Sequence, residues 1–390
     1  MCDTFWSELR GLGDPAEPGT GDGKRHHTSD AWFATSAALS QTRTRSVRDL
    51  DHDGGVTPPT FAAGVRLPFA QLPAAVAEWV ARTLGGSITD VVDKQGGFSP
   101  GVAAVVTTTG GARGFVKAVG TSINAESVQF HRAENAVMVR MPLNDSILRP
   151  VASESIQVDA DEWEVTILPV IDGATAAHPW SDSDALRVLD ALVDLGTQFT
   201  PSPWPDDPAR TKQLVAFFRG WTRIERETDD PWDAHPWIAR HFDDLLALEP
   251  LLAARLPGDT LSHTDLRADN VMLTDDRVWL VDWAHARNAA RWVDPVLMMC
   301  DVVASGADRD DGGDIDVPKL FATHRAFDGA STELVGAVIA TLAATLHWFS
   351  RQPPPPGLPT IRAFQAVQAD SMLRYILRQF PDGLRIDATV

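Results

Sequence analysis

The residues best suited to chemistry lie in one short run of the sequence, where Asp265 and Asn270 are separated by four residues. A carboxylate can orient a hydroxyl group and accept its proton, and an amide oxygen at the end of the same loop can reach a metal ion. Phosphoryl transfer depends on such positioning and charge neutralisation more than on covalent chemistry. An Asp and an Asn at this spacing also occur by chance in solvated turns. His263, Leu266 and the strand-like Val271–Leu273 around them favour the functional interpretation.

A second carboxylate, Asp282, ends an apolar run twelve residues after Asn270. A hairpin between that run and the preceding strand would bring Asp282 beside Asn270. Mg²⁺ binds a few protein oxygens together with phosphate oxygens and water, so two such ligands would be adequate in number. An Asp after a strand is also typical of a helix N-cap. Because Asp282 occurs together with the run that contains Asp265 and Asn270, the metal-binding interpretation is favoured.

Glycines between two predicted strands mark a candidate phosphate loop. Gly96, Gly97, Ser99 and Gly101 lie in a stretch where backbone N–H groups can approach phosphate oxygens, because glycine has no side chain in the way. A glycine-rich hairpin is more often only a turn. The chain has no G-x-x-x-x-G-K-[ST] sequence, which argues against a Walker-type nucleotide site.

Lys117 occurs in an apolar predicted strand, where a lysine is costly unless its charge is paired. Glu134 lies on the apolar stripe of the helix that follows, so its carboxylate should face inward and need a cation. Glu126 falls two turns earlier on the same stripe and is the rival partner. A lysine that extends its ammonium group to water from an edge strand is the alternative without function.

Apolar periodicity predicts the elements that position these side chains. In the first half of the chain it predicts two helices and five strands, with a hairpin turn at Thr109-Gly110-Gly111. The helices cover residues 73–84 and 125–140, and the strands cover 88–92, 102–108, 114–119, 147–151 and 162–170.

The second half of the chain is dominated by long amphipathic stretches. These predict helices over residues 182–199, 209–226, 232–254, 332–350 and 359–380, and a small hairpin of strands over 271–273 and 278–282. We therefore expect an α+β protein of two lobes: an N-terminal lobe over 61–171, with an antiparallel sheet and one main helix, and a mostly helical C-terminal lobe over 172–390. Residues 1–60, rich in Gly, Pro and polar residues, predict a disordered extension.

Composition narrows the classes of function. The net charge of −19 argues against a nucleic-acid binder, which needs a basic patch. An acidic surface can attract a cationic small molecule, and it equally serves solubility. Only two cysteines occur, with no CxxC or HExxH motif, which fits a reducing cytosol. The first residues lack a secretory pattern, and the apolar run 334–349 is short for a bilayer span. We expect a cytoplasmic protein with no membrane partner.

Together, the run from His263 to Asn270 and the segment Val281-Asp282-Trp283 resemble the aminoglycoside phosphotransferase family. That family belongs to the protein-kinase-like superfamily, with choline kinases and homoserine-kinase-like enzymes. The resemblance covers roughly residues 85–300. It implies a two-lobed protein-kinase-like fold in which Asp265 is the catalytic base and Asn270 and Asp282 hold Mg²⁺. His263 would be a structural member of the loop.

The resemblance also implies the nucleotide site. Lys117, paired with a helix glutamate, would contact the phosphates of ATP or GTP, and the backbone near Leu168 and Val170 would bind the base. Asp294 resembles an aspartate that braces the catalytic loop, although a simple helix cap fits as well. Thr264 and the absence of an Ala-Pro-Glu segment depart from protein kinases, which favours a small-molecule acceptor. The alternative is a kinase-like binding or regulatory protein without turnover.

Overall fold

A computed structural model of the protein describes residues 66–94, 100–204, 207–227, 230–355 and 358–386. The predicted extension 1–60 and the predicted phosphate-loop residues Gly96, Gly97 and Ser99 lie outside these described residues.

The N-terminal part is a five-stranded antiparallel sheet with strand order β1-β2-β3-β5-β4. Its core contains Val76 and Trp79 of the first helix together with the sheet residues Val106, Val116 and Ile167. The elements are α1 (Ala74–Thr83), β1 (Ile88–Asp93), β2 (Val102–Thr108), β3 (Arg113–Gly120), α2 (Thr121–Arg140), β4 (Ala152–Val158) and β5 (Asp161–Leu168).

The C-terminal part is mostly helical and contains the larger core cluster. Serine and aspartate side chains begin several of its helices: Ser181, Asp207 and Ser331 each accept a hydrogen bond from a backbone N–H of the first turn. The helices are α3 (Asp182–Gln198), α4 (Pro208–Phe217), α5 (Gly220–Glu225), α6 (Pro236–Arg255), α7 (Val293–Ala304), α8 (Val317–Thr323), α9 (Thr332–Ser350) and α10 (Ile361–Gln379).

Five further strands are short and lie in the C-terminal part, outside the five-stranded sheet. They form two small antiparallel sheets, of order β6-β8-β9 and β10-β7. The strands are β6 (Ala174–Thr175), β7 (Thr260–Ser262), β8 (Val271–Leu273), β9 (Val278–Leu280) and β10 (Arg287–Ala289). Short 3₁₀ helices occur at Phe69–Gln71, Pro231–Ala234, Ala268–Asn270, Trp283–His285, Arg309–Asp311 and Arg325–Phe327.

This architecture confirms the predicted α+β class and the two-lobed arrangement. Residues 169–173 connect β5 to β6, at the position where the sequence predicts the join. Two further clusters pack the parts together. One joins Met138 of α2 and Leu168 of β5 to Trp279 of β9, and the other joins Phe130 of α2 to Phe349 of α9.

Two element predictions are wrong. The strand expected at 147–151 begins only at Ala152, and Ile147 instead forms an isolated bridge with Leu280. The helix expected at 209–226 is interrupted between Phe217 and Gly220. A Cβ on Gly220 would lie 2.2 Å from the backbone nitrogen of Thr345, so α5 approaches α9 at a distance that only glycine permits.

One described helix, α9, is long and apolar enough to cross a membrane by length and composition alone, and 83% of its apolar window is buried inside the molecule. Such burial is typical of the core helix of a globular protein.

Candidate functional site

A cleft of about 800 Å³ lies between the five-stranded sheet and the strands β6 and β8. Residues from both parts of the molecule line it. The predicted site residues among them are Lys117, Leu168, Val170, Asn270 and Asp282. The structure therefore brings together, at one cleft, residues that the sequence places up to 165 positions apart.

Lys117 lies in the middle of β3, opposite Ala103 of β2 and Thr166 of β5. Its Nζ donates to both carboxylate oxygens of Glu134, at 2.8 and 2.9 Å, and lies 3.7 Å from Asp282 Oδ1. Of the two glutamates left open by the sequence, Glu134 is therefore the one that contacts Lys117. Burial alone would lower the pKa of Lys117, but the two carboxylates together outweigh it and the pKa is raised. The amine therefore stays charged.

The loop after β7 is held by Asp294, from the first turn of α7. The backbone N–H groups of His263 and Thr264 donate to its two carboxylate oxygens, at 2.7 and 2.8 Å. Burial raises the pKa of Asp294, while these two N–H groups act in the opposite direction. Of the two roles open for Asp294, the geometry is that of a brace across the loop.

Thr264 occupies a strained backbone conformation, with φ of +62°. A β-branched residue rarely adopts a positive φ, so surrounding contacts must hold it there. Besides the bond to Asp294, its Oγ1 donates to the carbonyl of His285, at 2.8 Å. The turn that leads into Asp265 is therefore fixed from two sides.

His263 links this loop to the segment that ends in Asp282. Its Nε2 donates to the carbonyl of Val281, at 2.8 Å, and its Nδ1 accepts from the backbone N–H of Asp265, at 3.3 Å. This pattern needs a neutral imidazole with its proton on Nε2. His263 holds the two chemical segments together and does not face the cleft, which fits the structural role implied by the resemblance.

Asp265 and Asn270 are in direct contact. Nδ2 of Asn270 donates to the backbone carbonyl of Asp265, at 2.8 Å, and lies 3.4 Å from its Oδ2. Asp265 is not among the residues that line the cleft, and its side chain is 11% exposed; Asn270 connects it to the cleft. Because Nδ2 points at Asp265, Oδ1 is the amide atom of Asn270 that can bind a metal ion.

Asp282 follows β9 in a left-handed conformation, with φ of +67°. It precedes the 3₁₀ helix Trp283–His285, but its side chain makes no capping hydrogen bond there. The carboxylate is instead directed towards Lys117, and its side chain is 36% exposed. The geometry therefore argues against the helix cap and places the carboxylate at the cleft, where the metal-ligand interpretation needs it.

The donor set fits magnesium better than a tightly coordinated metal. Among the described residues, no group of three or more His, Cys, Asp or Glu side chains is arranged to hold a metal ion. Asn270 and Asp282 provide two oxygen donors on the same cleft. Mg²⁺ is commonly held by one or two carboxylates plus substrate phosphates and water, which matches this set.

Apolar residues form the part of the cleft near the linker. Leu168, Val170 and the neighbouring Ile171 were expected there, whereas six other apolar residues were not predicted from the sequence. The register offers the signal that would have found two of them, since Ala103 is paired with Lys117 and Val105 with Phe115 on the face that lines the cleft. The unpredicted apolar residues are Ala103, Val105, Phe115, Leu148, Met272 and Val281.

Gly101 immediately precedes β2 and is not among the residues that line the cleft; its φ is +112°. A Cβ at this position would lie 2.5 Å from the carbonyl oxygen of Ala118, so the close pairing of β2 with β3 requires glycine. The structure therefore explains Gly101 by backbone geometry.

Two charged residues of the loop between Asp265 and Asn270 were not predicted from the sequence. Arg267 donates through Nη2 to Asp269 Oδ2, at 2.7 Å, and Asp269 lines the cleft. Burial raises the pKa of Asp269 to about 6, although Arg267 acts in the opposite direction. An arginine and an aspartate two residues apart are common in solvated loops. Only their burial distinguishes Arg267 and Asp269 from such an ordinary pair.

The sequence matches one protein-family model, described as "APH: Phosphotransferase enzyme family", over residues 96–334. A search of curated proteins gave no match.

Solved structures to which this chain is similar include an aminoglycoside phosphotransferase and two choline kinases. An aminoglycoside phosphotransferase from Alicyclobacillus acidocaldarius is 18% identical, with 80% of this chain and 96% of that chain covered and a TM-score of 0.45. A choline kinase from Cryptosporidium parvum is 12% identical, with coverages of 79% and 95% and a TM-score of 0.49. A choline kinase from Streptococcus pneumoniae is 13% identical, with coverages of 77% and 98% and a TM-score of 0.48.

Proposed function

The chain belongs to the phosphotransferase enzyme family, and from this premise we propose that it transfers the γ-phosphoryl group of ATP or GTP to a hydroxyl group of a small molecule. The observation that carries the proposal is the convergence of three side chains at one cleft. Lys117, Asn270 and Asp282 come from separate segments of the sequence. Glu134 pairs with Lys117, and Asn270 contacts Asp265.

The lining of the cleft favours one orientation of the nucleotide. The apolar residues near the linker, including Leu168 and Met272, suit a flat purine base, and the backbone beside Val170 offers polar groups at its edge. The phosphates would then extend towards Lys117, whose ammonium group is held charged by Glu134. Lys117 therefore binds and orients the phosphate oxygens.

Asn270 and Asp282 would hold Mg²⁺, through Oδ1 of the amide and through the carboxylate. When bound, the ion supplies positive charge that offsets the charge of the β- and γ-phosphates.

Asp265 acts on the acceptor. Its carboxylate orients the hydroxyl group and accepts the proton as the acceptor oxygen bonds to the γ-phosphorus. The bond between that phosphorus and the β–γ bridging oxygen breaks at the same time, and ADP or GDP leaves with the bonding electrons. The fixed turn at Thr264 and the contact with Asn270 hold the carboxylate in place.

The acceptor is a small hydroxylated molecule, and an amine-bearing one suits the acidic composition of the chain. Aminoglycosides and amino alcohols belong to this class. A cytoplasmic enzyme with access to ATP and Mg²⁺ is consistent with the cysteine content.

The test is a screen for release of ADP or GDP over aminoglycosides, macrolides, amino alcohols and sugars, with ATP or GTP and Mg²⁺. We expect at least one acceptor to raise the rate of release by the wild-type protein. Asp265→Asn should lower turnover roughly 10²–10⁴-fold, because a general base contributes about that much. Binding of Mg·ATP, followed by tryptophan fluorescence, should be nearly unchanged in this variant.

Two results would contradict the proposal. One is a wild-type protein that binds neither ATP nor GTP, seen as no shift of the melting temperature when Mg·nucleotide is added. The other is an Asp265→Asn variant with wild-type turnover.

A further inference from the structure

Arg267 and Asp269 form a buried ion pair inside the catalytic loop. Their side chains are 7% and 13% exposed, and Nη2 of Arg267 donates to Asp269 Oδ2 at 2.7 Å. Arginine stays charged at any pH of interest, and a charge removed from water is costly unless it is paired. A buried arginine within two residues of the proposed base therefore calls for an explanation.

Asp265 lies between this arginine and the amide of Asn270. Nε of Arg267 is 3.8 Å from Asp265 Oδ1, and Nδ2 of Asn270 is 3.4 Å from Asp265 Oδ2. Each carboxylate oxygen thus faces one donor group on a different side. Rotation of the carboxylate about its Cβ–Cγ bond would move both oxygens away from these groups.

The backbone that carries Arg267 is itself held by α7. The N–H of Ala268 donates to Asp301 Oδ2 at 2.9 Å, and the indole N–H of Trp180 donates to the same oxygen at 2.9 Å. Asp301 and Trp180 are both buried. The position of the guanidinium is therefore set at both ends, by Asp301 at the backbone and by Asp269 at the side chain.

We propose that Arg267 is a positioning residue for Asp265, kept in place by its ion pair with Asp269. The inference rests on the proposed function, because it requires Asp265 to act as the base. Arg267 holds the carboxylate in the orientation that accepts the proton of the acceptor hydroxyl. Small losses of such geometry reduce turnover strongly without weakening nucleotide binding.

The experiment compares Arg267→Met, Arg267→Lys and the double variant Arg267→Met with Asp269→Asn. Turnover is measured as ADP release from Mg·ATP with the acceptor that gives the highest wild-type rate. The dissociation constant for Mg·ATP and the melting temperature are measured on the same preparations. Arg378→Met is the matched control, because Arg378 is a partly buried arginine of α10 that pairs with Asp308 and Asp311.

We expect Arg267→Met to lower kcat about 10- to 100-fold, with the dissociation constant for Mg·ATP within about twofold of wild type. Arg267→Lys keeps the charge and should recover part of the lost kcat. In the double variant the unpaired buried carboxylate is gone, so the melting temperature should rise again while kcat stays low. Arg378→Met should lower the melting temperature and leave kcat of the folded protein unchanged.

Recovery of both kcat and melting temperature in the double variant would show that the pair serves folding alone and would overturn the inference. Wild-type kcat in Arg267→Lys and in the double variant, together with a large loss in Asp265→Asn, would overturn it while leaving the proposed function intact. Absence of ADP and GDP release by the wild-type protein with every acceptor and with either nucleotide would overturn both. If Arg267→Met does not fold, the kcat values of Arg267→Lys and of the double variant test the inference.

Discussion

Lys117 can keep a full charge in the wall of the cleft because two carboxylates face it. Its side chain is 18% exposed and that of Glu134 only 3%, so water contributes little to the stability of either ion. Each ion of the Lys117–Glu134 pair therefore depends on the other for its stabilisation. Removing one partner would leave the other charge buried and uncompensated.

Lys117→Met is expected to have two separate effects. The dissociation constant for Mg·ATP should increase about 10- to 100-fold, because a hydrogen bond between a charged amine and phosphate contributes roughly 1.5–3 kcal/mol. Stability should also fall, by about 3 kcal/mol, because Glu134 loses its cation. Nucleotide titration by tryptophan fluorescence and denaturant unfolding measure the two effects. Lys212→Met, at an exposed position of α4, is the control; equal nucleotide affinity in Lys117→Met would remove Lys117 from the phosphate site.

Single residues were predictable where their chemistry conflicts with their surroundings in the sequence. A lysine in an apolar strand and an inward-facing glutamate indicate Lys117 and Glu134 without any knowledge of the fold. Arg267, Asp269 and Asp301 give no such signal. Asp301 approaches the catalytic loop from 33 residues further along the chain, so its role becomes visible only once α7 packs against that loop.

At the scale of elements, the first turn of α7 acts as a brace. Asp294 accepts two backbone N–H groups from a loop some 30 residues away and thereby fixes a threonine with a positive φ. A helix is a rigid support for such a contact, whereas residues 263–267 belong to neither a helix nor a strand.

Asp294→Ala should lower both stability and turnover. Two buried N–H groups lose their acceptor, at about 1–3 kcal/mol each, and the strained turn at Thr264 is free to relax. We expect kcat to fall further than the affinity for Mg·ATP, since the turn leads into Asp265. Ser331→Ala provides the comparison: it removes a side-chain acceptor at the start of α9, at a cost of about 1 kcal/mol, and should leave kcat unaltered. Unchanged kcat in Asp294→Ala would show that the turn keeps its shape without the brace.

Element prediction failed where tertiary contacts or exposure override local patterns. Strand β4 is an edge strand with exposed polar residues. The apolar pattern of the sequence therefore favoured a strand at the neighbouring Ile147 and Leu148, which are buried outside the sheet. The break before Gly220 depends on the close approach of α9, which helical periodicity cannot report. Helix α9 itself was predicted with its observed bounds, because nearly all of its length is apolar.

The molecule as a whole is acidic, whereas its cleft is lined by both basic and acidic side chains. The chain has 34 basic and 53 acidic residues, yet the cleft is lined by the basic side chains of Arg66, Lys94, Arg113 and Lys117. The carboxylates that line it are those of Asp172, Asp269 and Asp282. In the proposed reaction an anionic nucleotide would meet cations in the cleft, while a cationic acceptor would be attracted by the net charge of the molecule as a whole.

The dependence of activity on ionic strength distinguishes the two roles of the acidic composition, attraction of a cationic acceptor and solubility. The Debye length is about 30 Å at 0.01 M salt and about 10 Å at 0.1 M, so long-range attraction is strong only in dilute salt. If the net charge of −19 steers a polycationic acceptor, kcat/KM for that acceptor should fall about tenfold or more between about 0.01 and 0.3 M salt. An uncharged acceptor from the same screen should change by less than about twofold, which controls for effects of salt on nucleotide binding and on folding. Equal salt profiles for the two acceptors would show that the acidic residues act through solubility, and that selection of the acceptor is made only by contacts near Asp265.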